Sequence, residues 1–185
     1  MKSAVILACL GIWIAGAGVV SAAHPPAIWI DVPFVSQTKE GCGSAVISMV
    51  LQYWAKQAGK PASPQMDAAN IQSLLYSSRQ KGIPASAMEK YFHEQGFRAF
   101  AFRGEWSDLQ RHLQQGRPLI VCLKASGPRG PLHYSVVVGL DAEREFIFLN
   151  DPFAGKMLRI SREGFQSEWD SAKNWTLLAV PVETK

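Results

Sequence analysis

The sequence predicts an α+β fold, with an N-terminal helical half packed on a C-terminal antiparallel β-sheet. Three observations carry that expectation. After Cys42 the apolar residues Val46, Met49, Val50, Tyr53 and Trp54 recur at spacings of three and four, the period of a helix with one buried stripe. From Pro118 onward, short apolar runs follow one another with brief polar turns between most of them. Helices come mostly first and strands mostly last, whereas a doubly wound parallel sheet would alternate them.

The elements follow in order. "AIWIDVPFVSQ" is an extended entry segment, interrupted by Pro33. The helix that begins at Cys42 meets ordinary stop signals at Lys56 and Gly59. "MDAANIQSLLYSSRQ" is a second helix of weaker pattern. In "IPASAMEKYFHEQGF" Pro84 suits the first turn of a third helix and Gly96 its C-terminal cap. "FRAFAF" alternates as a strand does, and "WSDLQRHLQQG" is a short helix ended by Gly116. Strands "PLIVCLKA", "HYSVVVGLD", "EFIFLNDP" and "GKMLRI" come next, then a helix around "REGFQSEW" and a last strand "NWTLLAV".

Composition bounds the function. The 185 residues are 48% apolar and 18% charged, which suits a globular domain rather than a disordered chain. Met1-Lys2-Ser3 is a short positive stretch, Ala4 to Val20 is uncharged and apolar, and "SAAH" offers small residues to a signal peptidase. Residues 1–23 are therefore expected to be an export signal cleaved after Ala22 or Ala23. Residues 24–185 then form one domain in the periplasm or outside the cell. The alternative is an uncleaved membrane anchor over residues 4–23. The formal charge is +4, but the basic residues are scattered and do not alternate with aromatics, so no nucleic-acid partner is expected.

Cysteine usage is sparse. Only Cys42 and Cys122 lie beyond the signal, and no CxxC or Cys/His zinc spacing exists. Cys122 lies inside an apolar strand, where cysteine acts as a small hydrophobe. A Cys42–Cys122 disulfide is a lesser alternative in an oxidising compartment.

Cys42 is different because it opens a helix. Unpartnered N–H groups and the helix dipole favour thiolate there, and Gly41 and Gly43 leave room for a substrate carbonyl. A thiolate nucleophile also needs a base. His24 lies at the signal boundary, and His93 and His112 lie in polar helical stretches. His133 opens a strand beside the turn-rich "SGPRGP", where it can face a cleft from a fixed backbone. A hairpin centred on Ala142 sets His133 directly opposite Asp151, whose carboxylate would accept Nδ1–H and leave Nε2 for the thiol. A half-residue shift of the turn brings Asn150 or Pro152 there instead. Gln37, five residues before Cys42, can donate to an oxyanion together with the Cys42 N–H.

"VPFVSQTKEGCGSAVISMVLQYW" followed by "LHYSVVVGLDAEREFIFLNDPFAGKMLRISREGFQSEW" resembles a C39-type cysteine peptidase, a branch of the papain-like fold. The resemblance implies Gln37 as oxyanion donor, Cys42 as nucleophile, His133 as general base and acid, and Asp151 as the orienting residue. The best-known members are N-terminal domains of ABC exporters that cut leader peptides after a Gly-Gly pair. This chain has no P-loop "GxxxxGK[ST]", so ATP binding is not implied, and an export signal would place it away from leader-peptide trimming.

The function expected is thiol-dependent peptide hydrolysis on a peptide or protein substrate, with no cofactor and no metal. Two alternatives stay open: a Cys-His-Asp amidase or acyltransferase on the same scaffold, and an inactive peptide-binding module of a secretion system.

Overall fold

The computed structural model describes residues 27–124, 127 and 129–182, so the expected export signal and His24 lie outside the described residues. The chain runs β1 (Ile28–Trp29), α1 (Cys42–Gln57), α2 (Ala68–Leu75), α3 (Ala85–Glu94), β2 (Phe97–Arg103), α4 (Trp106–Gln114), β3 (Leu119–Lys124), β4 (Leu132–Asp141), β5 (Phe146–Asp151), β6 (Gly155–Ser161), α5 (Arg162–Ser171) and β7 (Trp175–Pro181). The α+β expectation holds. The second helix is shorter than its apolar pattern: α2 is capped by Asp67 Oδ1 on the Asn70 N–H and ends at Leu75, and Ser77 then turns back onto Gly82. Pro84 is the N-cap of α3 rather than part of its first turn, and Gly96 follows the helix at a positive φ of 82°.

The strands form one sheet in the order β2-β7-β3-β4-β5-β6, antiparallel throughout. β3 pairs with β4 only as far as Val137, and β1 takes the vacated edge at Gly139 and Leu140. A side chain at Gly139 would clash with the Ile28 carbonyl and with Trp29, so glycine there is what lets β1 dock.

Helices cover both faces. Val46, Met49, Val50 and Tyr53 of α1, with Met88 and Phe92 of α3, pack on Ile120, Cys122, Val136 and Val138. Leu109 and Leu113 of α4, with Phe165 and Trp169 of α5, pack on Leu119, Val121, Val137 and Leu149. A sheet buried on both sides reads as continuous apolar strands, and β4 is buried from Tyr134 to Asp141. Trp169 is core, Trp54, Trp106 and Trp175 pack against the two cores, and Trp29 stays exposed, edge-on to Phe148.

The β4–β5 hairpin departs from the symmetric count. Its turn spans four residues between Asp141 and Phe146, with Asp141 Oδ1 accepting the Arg144 N–H at 3.0 Å and Glu145 left-handed. A bulge between Val137 and Gly139 then shifts the register once more. The bulge also changes the side-chain phase: Val137 faces the α4/α5 core, Val138 the α1 core, and Leu140 the α4/α5 core again. Continuing the Val136–Asn150 pair by one residue puts Ser135, not His133, opposite Asp151.

Asn150 anchors the entry segment to this hairpin. Its Nδ2 donates to the Val32 carbonyl at 3.0 Å, and its Oδ1 accepts the Met157 N–H at 3.1 Å. The side chain is 1% exposed, so water cannot replace either bond. Asn150→Ala is expected to lower stability by about 2–4 kcal/mol, because it strands two backbone groups. A urea melt that shows a midpoint unchanged from wild type would refute this account.

Candidate active site

Cys42 is the first residue of α1, following the N-cap Gly41, which places no side chain over the helix end. The loop before it is fixed at several points. The Gly41 N–H donates to the Thr38 carbonyl, Gln72 Nε2 donates to the Glu40 carbonyl at 3.4 Å, and the Tyr76 hydroxyl donates to the Glu40 carboxylate. Glu40 itself is left-handed, with φ 56°. The flanking glycines are required by this packing. A Cβ at Gly43 would lie 2.8 Å from Ile83 Cβ, and one at Gly41 would lie 2.9 Å from Thr38 Oγ1.

Cys42 is partly exposed, and the His133 ring with the backbone N–H groups of Tyr134 and Gly43 favours its thiolate. Burial works against its thiolate. The hydrogen bond from His133, the Tyr134 N–H, the positive charge of His133 and the Gly43 N–H together outweigh burial, and the thiol lies below its ordinary pKa. Burial likewise opposes the imidazolium of His133. The hydrogen bonds and negative charges of Asp151 and Cys42 prevail, and His133 is pushed up to about 9. The two shifts reinforce each other, each group favouring the charged form of its neighbour.

Asp151 sits behind the ring. Its Oδ1 accepts from His133 Nε2 at 2.9 Å and from the Phe153 and Ala154 N–H groups at 2.8 and 2.9 Å. Its Oδ2 accepts from Ser135 Oγ at 3.0 Å. Burial raises its pKa, but the His133 bond, the Ala154 N–H, the imidazolium charge and the Phe153 N–H hold it down at about 2. The turn that opens "DPFAG" and the contact with His133 thus use the same carboxylate.

Two details differ from the sequence expectation. His133 and Asp151 meet diagonally rather than directly across the hairpin. In that geometry the carboxylate meets the far nitrogen, Nε2, and Nδ1 is the ring nitrogen left for sulfur. Ser135 is a site neighbour that the sequence reading passed over. A hydroxyl inside the apolar run "YSVVVGL" was the available signal, because a buried hydroxyl needs a partner.

Gln37 reaches the same region through its backbone. Its N–H donates to the Pro152 carbonyl at 3.0 Å, which ties the loop before Cys42 to the turn after Asp151. Its side-chain Oε1 is buried and has no hydrogen-bond partner among the described residues. Asn150 does not join the site, since both ends of its amide serve the backbone.

Cys122 stands across from Tyr134 in the sheet, 4% exposed, and both cysteines are free. Burial, with the neighbouring Cys42 charge, pushes its thiol up to about 12, so it is unreactive. Of the remaining histidines, His93 bonds the Phe97 carbonyl at 3.1 Å. His112 lies tilted beside Phe102, with its buried Nδ1 unpartnered among the described residues.

Residues 29–176 match the family model described as the Peptidase_C39 like family. No curated protein matches the sequence. Among solved structures, the peptidase domain of Streptococcus ComA, a bi-functional ABC transporter involved in a quorum sensing pathway, is 25% identical. It superposes with a TM-score of 0.62, over 82% of this chain and 100% of its own. A double glycine motif protease from an AMS/PCAT transporter, in complex with the leader peptide, is 22% identical with a TM-score of 0.61, over 83% of this chain and 94% of that one. Xylellain, a cysteine protease from Xylella fastidiosa, is 14% identical with a TM-score of 0.51, over 88% of each chain. These likenesses place the fold among papain-like C39 peptidase domains, and the family match over most of its length makes this chain a member of the Peptidase_C39 like family.

Proposed function

We propose that the chain is a cysteine peptidase that cleaves peptide bonds through Cys42, His133 and Asp151. The observation that carries this reading is the His133 ring, which bonds Asp151 through Nε2 at 2.9 Å and at the same time favours the thiolate of Cys42 at a helix N-terminus. Cys42 thiolate attacks the scissile carbonyl. The oxyanion that forms is held by the Cys42 N–H and the Gln37 side-chain amide, whose loop is tied beside Asp151. His133 then gives its proton to the leaving amine, and water, deprotonated by the same ring, releases the acyl group from sulfur. Asp151 keeps the ring oriented and the imidazolium favoured.

A peptide or protein is the substrate that suits a site flanked in sequence by exposed apolar residues, Leu132 beside His133 and Phe153 beside Asp151. The pattern of residues 1–23 supports action outside the cytoplasm. The neighbours solved as transporter peptidase domains support a link to peptide secretion.

The pair is tested first without a substrate. In reduced protein, Cys42 is expected to react with iodoacetamide at pH values well below the reference thiol pKa of about 8.5, while Cys122 stays unlabelled up to pH 9. His133→Ala is expected to move the Cys42 midpoint up. A Cys42 that titrates as a free thiol, or ignores His133, refutes the reading.

With a peptide substrate in hand, the rate should rise through the lowered thiol pKa and fall as His133 loses its proton near pH 9. The sign follows because the ring must be charged to protonate the leaving amine. Gln37→Ala is expected to reduce kcat by about 10²–10³ with little change in Cys42 alkylation. A loss confined to KM would instead assign Gln37 to substrate binding.

A further inference from the structure

We propose that Ser135 is a positioning residue, holding the Asp151 carboxylate in the plane that presents Oδ1 to His133 Nε2. The proposal rests on the peptidase reading of the site and adds a fourth residue to it. Three donors crowd Oδ1, and two of them, the Phe153 and Ala154 N–H groups, belong to the turn and draw the carboxylate toward it. Rotation about the last torsion of an aspartate is soft, so bonds to one oxygen leave the plane free to swing. Ser135 Oγ is the side chain that engages Oδ2. It comes from a strand locked between β3 and β5, and it precedes the β4 bulge that puts it across from Asp151.

The burial of Ser135 strengthens the argument. The residue is 0% exposed, so its hydroxyl has no solvent to turn to, and serine is a poor strand former amid valines. Packing alone would favour valine at this position. A hydroxyl earns its place by what it donates to, which is Asp151. Its bond has a second effect, because donation to Oδ2 favours the ionised carboxylate and so the imidazolium that Cys42 needs.

The test compares Ser135→Thr with Ser135→Val, two strand-favouring residues of nearly equal shape that differ in the hydroxyl. The readout is the pH dependence of Cys42 alkylation by iodoacetamide, which a structural role alone would not move. The Thr variant is expected to react about tenfold faster than the Val variant at pH 6, with a midpoint about one pH unit lower. In an Asp151→Asn background the same pair should differ less than twofold, because the effect runs through the carboxylate. Equal rates for Thr and Val in the wild-type background overturn the inference if Asp151→Asn still slows Cys42. An equal Thr–Val gap in both backgrounds also overturns it, by showing general damage. If neither His133→Ala nor Asp151→Asn alters Cys42, the peptidase reading fails and the role of Ser135 falls with it.

Discussion

A carboxylate removed from water has to be supplied with donors, and much of the geometry around the site follows from how Asp151 meets that requirement. Its side chain is 11% exposed yet ionised down to about pH 2. The bonds from His133, Ala154 and Phe153, with the imidazolium charge, hold the pKa down against burial, and Ser135 donates to the other oxygen. Each donor comes from a fixed backbone, so the charge rests in a preformed cradle and imposes no reorganisation when a substrate arrives. The electrostatics then run outward. The carboxylate favours the imidazolium, and the imidazolium favours the Cys42 thiolate against the cost of burying it.

The same turn ties the two halves of the molecule together. The Pro152 carbonyl accepts the Gln37 N–H, and Asn150 bridges Val32 and Met157. Adjacent residues on β5 therefore do different work: Asn150 fastens the entry segment to the sheet, and Asp151 faces the ring. A strand gives this separation without further design, because successive side chains leave on opposite faces. The loop that carries Gln37 is thereby held where the α1 N-terminus begins. The Tyr76–Glu40 contact holds it from the α2 side.

The two cysteines show how local surroundings decide reactivity. Cys122 has buried apolar neighbours and its thiol is pushed up to about 12, while Cys42 has a cationic ring and two N–H groups and is pushed down. The contrast follows from position in the fold. One lies inside a central strand, and the other stands at a helix end facing a strand terminus.

The sequence by itself determined the elements whose signals are local. The period of α1, the apolar strands, the stop at Gly96, and the candidate set Gln37, Cys42, His133 and Asp151 could all be named from neighbouring residues. The family resemblance added the papain-like frame. Tertiary structure decided what depends on register. A four-residue turn and a bulge near Val138, of which Gly139 is the one local trace in "VVVGLDAERE", moved the partner of Asp151 from His133 to Ser135. That shift turned a direct cross-strand pair into a diagonal one, brought Nε2 rather than Nδ1 to the carboxylate, and gave an inconspicuous serine a partner. The physical reason is that hydrogen-bond register is a relation between two strands. One inserted residue changes every facing pair beyond it while leaving the local pattern of each strand intact.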